Sequence, residues 1–239
     1  MSYFNKLFFR AGQNCINIIF SMFEDKPNSI LLDCGCGDGD FTKQIIKRIK
    51  GCMEAHGIEI LPEYAEDAKK KGIIIHQCDL NKEIPFENES IDIVFSNQVI
   101  EHLYDTDIFI SEIYRVLKPG GYAVISTENL SSWHNIFALI LGWQPFSLSN
   151  ISSLRSSVGN FLGLHRRKND SLSIGAPRAM QHMRIFSPLG LKEIFEIHSF
   201  KCERIAGAGY YPLPGFLARF MARVDMRHTA FLTARFRKE

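Results

Sequence analysis

Apolar residues in the first half of this chain fall into short unbroken runs, separated by stretches in which they recur every three or four positions. The runs at residues 29–33, 53–60, 73–78, 91–96 and 122–127 are continuous rather than alternating, the pattern of strands covered on both faces. Between them, residues 41–49, 63–71 and 107–117 carry helical spacing. The second of these has Pro62 at its start, where a missing N–H costs nothing. Buried strands alternating with helices predict a parallel sheet wound by right-handed crossovers, with ligands at the carboxyl ends of the strands. Asp33, Glu59, Asp79 and Asn97 all fall at those ends.

The flanks read differently. Residues 4–23 have the spacing of an amphipathic helix, placed either over a ligand cleft or along the edge of the sheet. After residue 127 the alternation stops, and residues 130–185, rich in Ser, Gly and Asn, form an irregular stretch of the kind that usually serves as a lid. Within it, residues 136–142 are apolar enough for a short buried helix, and residues 152–173 are the least patterned. From Ser187-Pro188 a helix runs to residue 197, followed by strands at 202–208 and 229–236. Pro212-Leu213-Pro214 and an amphipathic run at 216–224 join those strands. One α/β domain is expected, with residues 1–27 as an N-terminal helix, 28–129 as the core, 130–185 as a lid insertion and 186–239 as the end of the sheet.

The strongest chemical signal is Leu31-Leu32-Asp33-Cys34-Gly35-Cys36-Gly37-Asp38-Gly39, three glycines two apart directly after a buried strand. At Gly35 and Gly37 the backbone must turn tightly and lie against a ligand, where a Cβ atom would intrude. A dinucleotide fingerprint would place its third glycine at position 40. Asp40 stands there instead. With Asp33 and Asp38 also acidic, the loop suits a cationic ligand better than a pyrophosphate.

This loop resembles motif I of the class I S-adenosylmethionine (SAM)-dependent methyltransferases, and further segments follow in that family's order. Gly57-Ile58-Glu59-Ile60 matches the strand whose terminal acid accepts the ribose hydroxyls. Cys78-Asp79-Leu80 matches the segment whose acid holds the adenine amino group and whose next backbone amide meets the ring. Ile91-Asp92-Ile93-Val94-Phe95-Ser96-Asn97-Gln98-Val99-Ile100-Glu101-His102-Leu103 resembles the type 11 branch, and Leu117-Lys118-Pro119-Gly120-Gly121 resembles the turn into the fifth strand. The resemblance covers residues 28–130 well and 180–237 loosely. It implies a Rossmann-like sheet of seven strands in the order 3-2-1-4-5-7-6, with helices on both faces. It also implies a SAM site, S-adenosylhomocysteine being the product, at Asp33, Gly35, Cys36, Gly37, Asp38, Gly39, Glu59, Ile60, Asp79, Leu80, Asn97 and Gln98.

Composition narrows the class. A chain of 239 residues with 46% hydrophobic residues buries a full core, and a net charge of +2 gives no broad field for nucleic acid. Only His165-Arg166-Arg167-Lys168 is locally basic. No run approaches the ~20 apolar residues that span a bilayer, and the N-terminus lacks the order of a secretory signal, so a cytoplasmic monomer or homodimer is expected. The six cysteines lack zinc-site spacing, and no metal is expected. Cys34 should pack behind its strand, while Cys36 lends its backbone to the cofactor.

Glu101-His102 falls on the edge of the cleft, where a base for a hydroxyl acceptor would sit; an imidazole near its reference pKa of about 6.5 suits that role. The pair also suits a purely structural role, pinning the following helix. Small-RNA terminal 2′-O-methyltransferases, which carry a similar Glu-His pair, use a carboxylate three residues before it and a distant His to hold a divalent metal; this chain has Gln98 in place of that carboxylate. His182-x-Arg184-x-Phe186-Ser187-Pro188 resembles the segment that ends the lid in small-molecule and glycan-linked members of the branch. Arg184 either binds an anionic substrate group bidentately or fixes the lid by an ion pair. Trp133, His134, Tyr210 and Tyr211 either line an acceptor pocket or simply pack. Tyr114-x-x-x-Lys118 has the spacing of short-chain dehydrogenases, but it sits on the wrong helix for that chemistry. The acceptor expected is a small molecule or a glycan- or lipid-linked precursor, methylated at oxygen. A tRNA-modifying enzyme or a SAM-binding regulator without turnover are the alternatives.

Overall fold

Seven strands form the centre of the molecule: β1 (Ser29–Cys34), β2 (Cys52–Ile58), β3 (Ile74–His76), β4 (Ile91–Asn97), β5 (Leu117–Glu128), β6 (Phe200–Ala208) and β7 (Phe231–Lys238). The computed structural model describes residues 3–152, 158–159 and 181–239. The strands pair in the order β3-β2-β1-β4-β5-β7-β6, the first five parallel and β7 antiparallel to both of its neighbours. The helices are α1 (Tyr3–Phe20), α2 (Asp40–Arg48), α3 (Pro62–Lys70), α4 (Thr106–Val116), α5 (Trp133–Ile140), α6 (Pro188–Ile197) and α7 (Gly215–Val224).

In β1, β4 and β5 the apolar runs are explained by burial on both faces, since neighbouring residues of a strand point to opposite sides; β2 and β3, toward the sheet edge, are only partly covered, with Met53 and Ile74 exposed. Leu32, Val94 and Ile125 pack on one side against Phe109 and Ile113 of α4 and Phe195 of α6. Leu31, Ile93 and Val124 pack on the other against Ile19 of α1 and Ile45 of α2. Each such side chain contributes about 1.5–3 kcal/mol by leaving water. Phe195 stacks on Phe236 at 4.0 Å, which fastens α6 to β7. The start of α4 is capped by Asp105, whose side chain accepts the Ile108 amide proton at 3.0 Å.

α1 buries Ala11, Cys15 and Ile19, one helical face, in the core beside Tyr122 and Phe231. It therefore covers the face of the sheet. Tyr114, the dehydrogenase-like tyrosine, packs edge-on against Phe200 with the Lys238 ammonium over its ring.

Two expectations need correction. The helix expected at 136–142 begins at Trp133, and it is not buried: Phe137, Leu139 and Ile140 are exposed, and only Asn135 and Ala138 are covered. The segment after β5 is also more regular than its composition suggests. Asn129 donates to the carbonyls of Arg227 and Thr229, and Asn135 donates to the Asn129 carbonyl, so polar side chains do the anchoring that apolar periodicity does elsewhere. Residues 165–168 and most of 152–173 lie outside the described residues. Among the described residues no helix is long and apolar enough to cross a membrane.

Candidate active site

The carboxyl ends of β1, β2 and β4, with the segment after β3, converge on a cleft of about 260 Å³. From the predicted cofactor set it is lined by Gly35, Gly37, Glu59, Ile60, Asp79, Leu80, Asn97 and Gln98, with His102 at one side. Gly35 has φ 81, and a Cβ there would strike the Val99 side chain. Gly37 has φ 54, and a Cβ there would meet nothing of the protein. The space beside it is open and belongs to the cleft.

The loop is tied down from both sides. Glu59, 8% exposed, accepts the Gly37 amide proton at 3.0 Å through one carboxylate oxygen and the Leu61 amide proton at 2.8 Å through the other. Asp79 accepts from the backbone and side-chain nitrogens of Asn81, whose own side-chain oxygen accepts from the amides of Tyr104 and Asp105. Gln98 sits at φ 56, a strained angle for a residue with a Cβ, where β4 turns into the short 3-10 turn Ile100–His102.

Four residues of the predicted set, Asp33, Cys36, Asp38 and Gly39, do not line the cleft; Gly39 caps the start of α2. Asp33 is 2% exposed and accepts the Thr42 hydroxyl proton at 2.6 Å. Burial, opposed by the Thr42 hydroxyl bond and reinforced by Glu59, pushes its carboxyl up to about 7. Asp38 pairs with Lys71 at 2.9 Å, and that bond, with the Asp40 amide, holds its carboxyl below the usual range. The Cys36 amide is spent on the Ile58 carbonyl and its carbonyl on the Gly39 amide, while its side chain packs with Ala68 and Ile73. Its amide is thus committed within the protein, while its carbonyl keeps a second lone pair. Cys34 is fully buried behind the strand, as expected.

At the other side of the cleft Glu101, His102 and His182 come together, although His182 lies 80 residues further along the chain. The two imidazoles meet edge to face at 4.8 Å between centroids. His102 Nδ1 lies 3.1 Å from the Gln181 carbonyl and His182 Nδ1 lies 2.5 Å from the Ser147 carbonyl. A carbonyl only accepts, so Nδ1 carries the proton in both rings and each Nε2 keeps its lone pair. Burial, then the neighbouring His182, pushes His102 down to about 4, so its ring is neutral at pH 7 and a weaker base than an exposed imidazole. Glu101 is fully buried; one carboxylate oxygen accepts the Thr127 hydroxyl proton at 2.8 Å. Burial and then Glu128 push its carboxyl up to about 8, against the Thr127 bond.

The remaining substrate-side candidates divide. Arg184 donates to the Thr106 hydroxyl at 3.0 Å and the Tyr104 carbonyl at 2.7 Å, which pins the chain after His182 to the start of α4. Trp133 donates to the Tyr210 hydroxyl at 2.6 Å, which donates in turn to Asp225. That chain of contacts does not line the cleft. His134 packs against Tyr211 and Phe146. Asn81, Tyr64, Leu61, Val99 and Leu103 also line the cleft and were not singled out. For Asn81 a signal existed, since Asp-x-Asn after a strand forms a side-chain turn. Glu128, at the carboxyl end of β5, and Tyr211 each keep a buried oxygen without a hydrogen-bond partner among the described residues. The strand-end logic that selected Glu59 would have found Glu128.

Residues 32–125 match a family model described as a methyltransferase domain. Over 104 residues the chain is 35% identical to a probable S-adenosylmethionine-dependent methyltransferase of Mycolicibacterium smegmatis, covering 41% of this chain and 38% of that protein. It is 25% identical over 182 residues to a malonyl-[acyl-carrier protein] O-methyltransferase of Erwinia billingiae, covering 70% of this chain and 66% of that one. The chain thus spans less than two thirds of the length of these relatives. In fold it is similar to an S-adenosylmethionine-dependent methyltransferase of Mesorhizobium loti, with a TM-score of 0.59, 18% identity, and 92% and 96% of the two chains covered.

Proposed function

We infer from the match of residues 32–125 to a methyltransferase domain, together with the fold and the cleft, that this chain is a SAM-dependent methyltransferase of the class I type 11 branch, and we propose that it methylates a small-molecule or glycan- or lipid-linked acceptor at oxygen. The observation that carries this reading is one cleft with Gly35, Gly37, Glu59 and Asp79 on one wall and His102 on the other. The first wall suits a nucleoside with an attached cation; the second suits a hydroxyl. The relative that acts on a malonyl-acyl carrier protein supports a carrier-linked or small acceptor.

When bound, SAM supplies a methyl group on a sulfonium, already an excellent leaving group. The chain's own residues then position and exclude water. Glu59 holds the glycine loop and offers its remaining lone pairs to the ribose hydroxyls, and Asp79 does the same for the base. Placing the two reactants in line contributes about 7–11 kcal/mol. His102 Nε2, unprotonated at neutral pH, takes the acceptor's proton. Because its affinity for that proton is low, it serves best late in the transfer, when the hydroxyl has become strongly acidic.

Titration calorimetry with SAM and S-adenosylhomocysteine tests the first half. Heat with both is expected, and none at millimolar ligand would overturn the reading. Metabolite profiling after deletion of the gene identifies the acceptor; a hydroxylated compound should accumulate.

A further inference from the structure

We propose that Glu101, His102 and His182 bind one divalent transition-metal cation of the zinc or manganese class beside the cleft. One ligand atom of each residue lies within 4.8 Å of the others. Ligands about 2.1 Å from a tetrahedral ion stand about 3.4 Å apart, so side-chain rotation must close the set by up to about 1.4 Å. No residue has to cross the fold to do so.

Three further observations point the same way. Glu101 Oε1 is buried and has no hydrogen-bond partner among the described residues, while its twin oxygen is held by Thr127. A buried carboxyl oxygen without a partner is costly, and a cation would satisfy it. Both imidazoles give their Nδ1 protons to backbone carbonyls, the arrangement that orients a ligating histidine and leaves Nε2 for the metal. The third ligand is also clamped to the first, because the Glu101 carbonyl accepts the amide protons of Met183 and Arg184, immediately after His182.

Two imidazole nitrogens and one carboxylate suit a transition metal, whereas magnesium and calcium prefer oxygen donors and water. Three protein ligands leave a position open, as catalytic sites do. Since His102 lines the cleft, that position is available to an acceptor oxygen, and a bound cation replaces His102 as the group that activates it. This use rests on the methyltransferase reading; the binding itself stands on the three side chains alone.

The test takes the full chain, stripped with EDTA and desalted, and titrates it calorimetrically with zinc, manganese and magnesium salts separately. One equivalent of zinc or manganese is expected to bind, with magnesium at least tenfold weaker. His182→Ala and Glu101→Gln should each weaken binding at least tenfold. Circular dichroism checks that both variants fold, and if Glu101→Gln does not, His182→Ala decides. The proposal is overturned if neither zinc nor manganese binds in a 1:1 ratio, or if folded His182→Ala binds as tightly as the parent. SAM titrated in the presence of EDTA separates the two readings. Heat with SAM but none with metal removes only the cation, and heat with metal but none with SAM supports the cation and removes the methyltransferase reading.

Discussion

Glu59 anchors the loop through the amides of Gly37 and Leu61, and in the function proposed above it also receives the ribose. Glu59→Ala should therefore weaken SAM binding by more than a lost ribose contact alone, at least about tenfold, since charge-assisted bonds contribute roughly 1.5–3 kcal/mol. Calorimetry reads this directly, and an unchanged affinity would move the ribose elsewhere. Gly37→Val places a branched side chain in the cleft at a left-handed φ. A folded protein whose melting temperature no longer rises with SAM is expected; a surviving ligand-induced shift would show that the loop is not the cofactor's seat. Asp33 sets a pH dependence. Its folded pKa is raised from 3.8 to about 7, so between those values the folded state holds a proton that the unfolded chain has lost. Stability thus falls as pH rises from about 4 to 7, by up to about 4 kcal/mol at 1.36 kcal/mol per unit, and levels off above. Asp33→Asn keeps an acceptor for Thr42 and should remove that part of the slope. Urea midpoints at pH 4.5 and 7.5 check it, and the difference between the two proteins cancels other groups such as Glu101.

At the scale of elements, the junction between the end of the 130–185 segment and α4 carries the clearest consequence. Arg184 spends its guanidinium on Thr106 and the Tyr104 carbonyl, so of its two readings the structure favours the clamp, made with hydrogen bonds rather than an ion pair. Arg184→Met keeps the stem and loses both bonds, a cost of about 1–3 kcal/mol that should lower the melting temperature by several degrees. An unchanged melting temperature would return Arg184 to the role of substrate ligand. The same junction carries His182 onto His102, so the variant should also lower turnover while leaving SAM affinity, which rests on the strand ends, within about twofold.

For the whole molecule, the proposal to test is that the 130–185 segment serves as a lid. Deleting residues 152–173, which lie outside the described residues apart from positions 152, 158 and 159, should spare SAM binding but cut turnover by removing walls that exclude water and orient the acceptor. Turnover that survives the deletion would make the segment a linker. The sheet was legible in advance because burial on both faces demands continuous apolar runs, and strand ends fall where those runs stop. That logic located Glu59, Asp79 and Asn97 correctly on the cleft. It misread α5, where exposed Phe137 and Ile140 imitate a core pattern, since apolar character alone does not say whether anything covers it. Local sequence therefore determined the order of elements, the parallel character of the first strands and the strand-end wall of the cleft, all of which follow from periodicity, while the full strand order came from the family resemblance. Tertiary structure alone decided that Asp33 is buried under a bond from Thr42, that the Cys36 amide is committed to the Ile58 carbonyl, and that His182 meets Glu101 and His102. Each of these depends on which backbone and side-chain groups face one another across the packed elements, and no spacing along the chain encodes that.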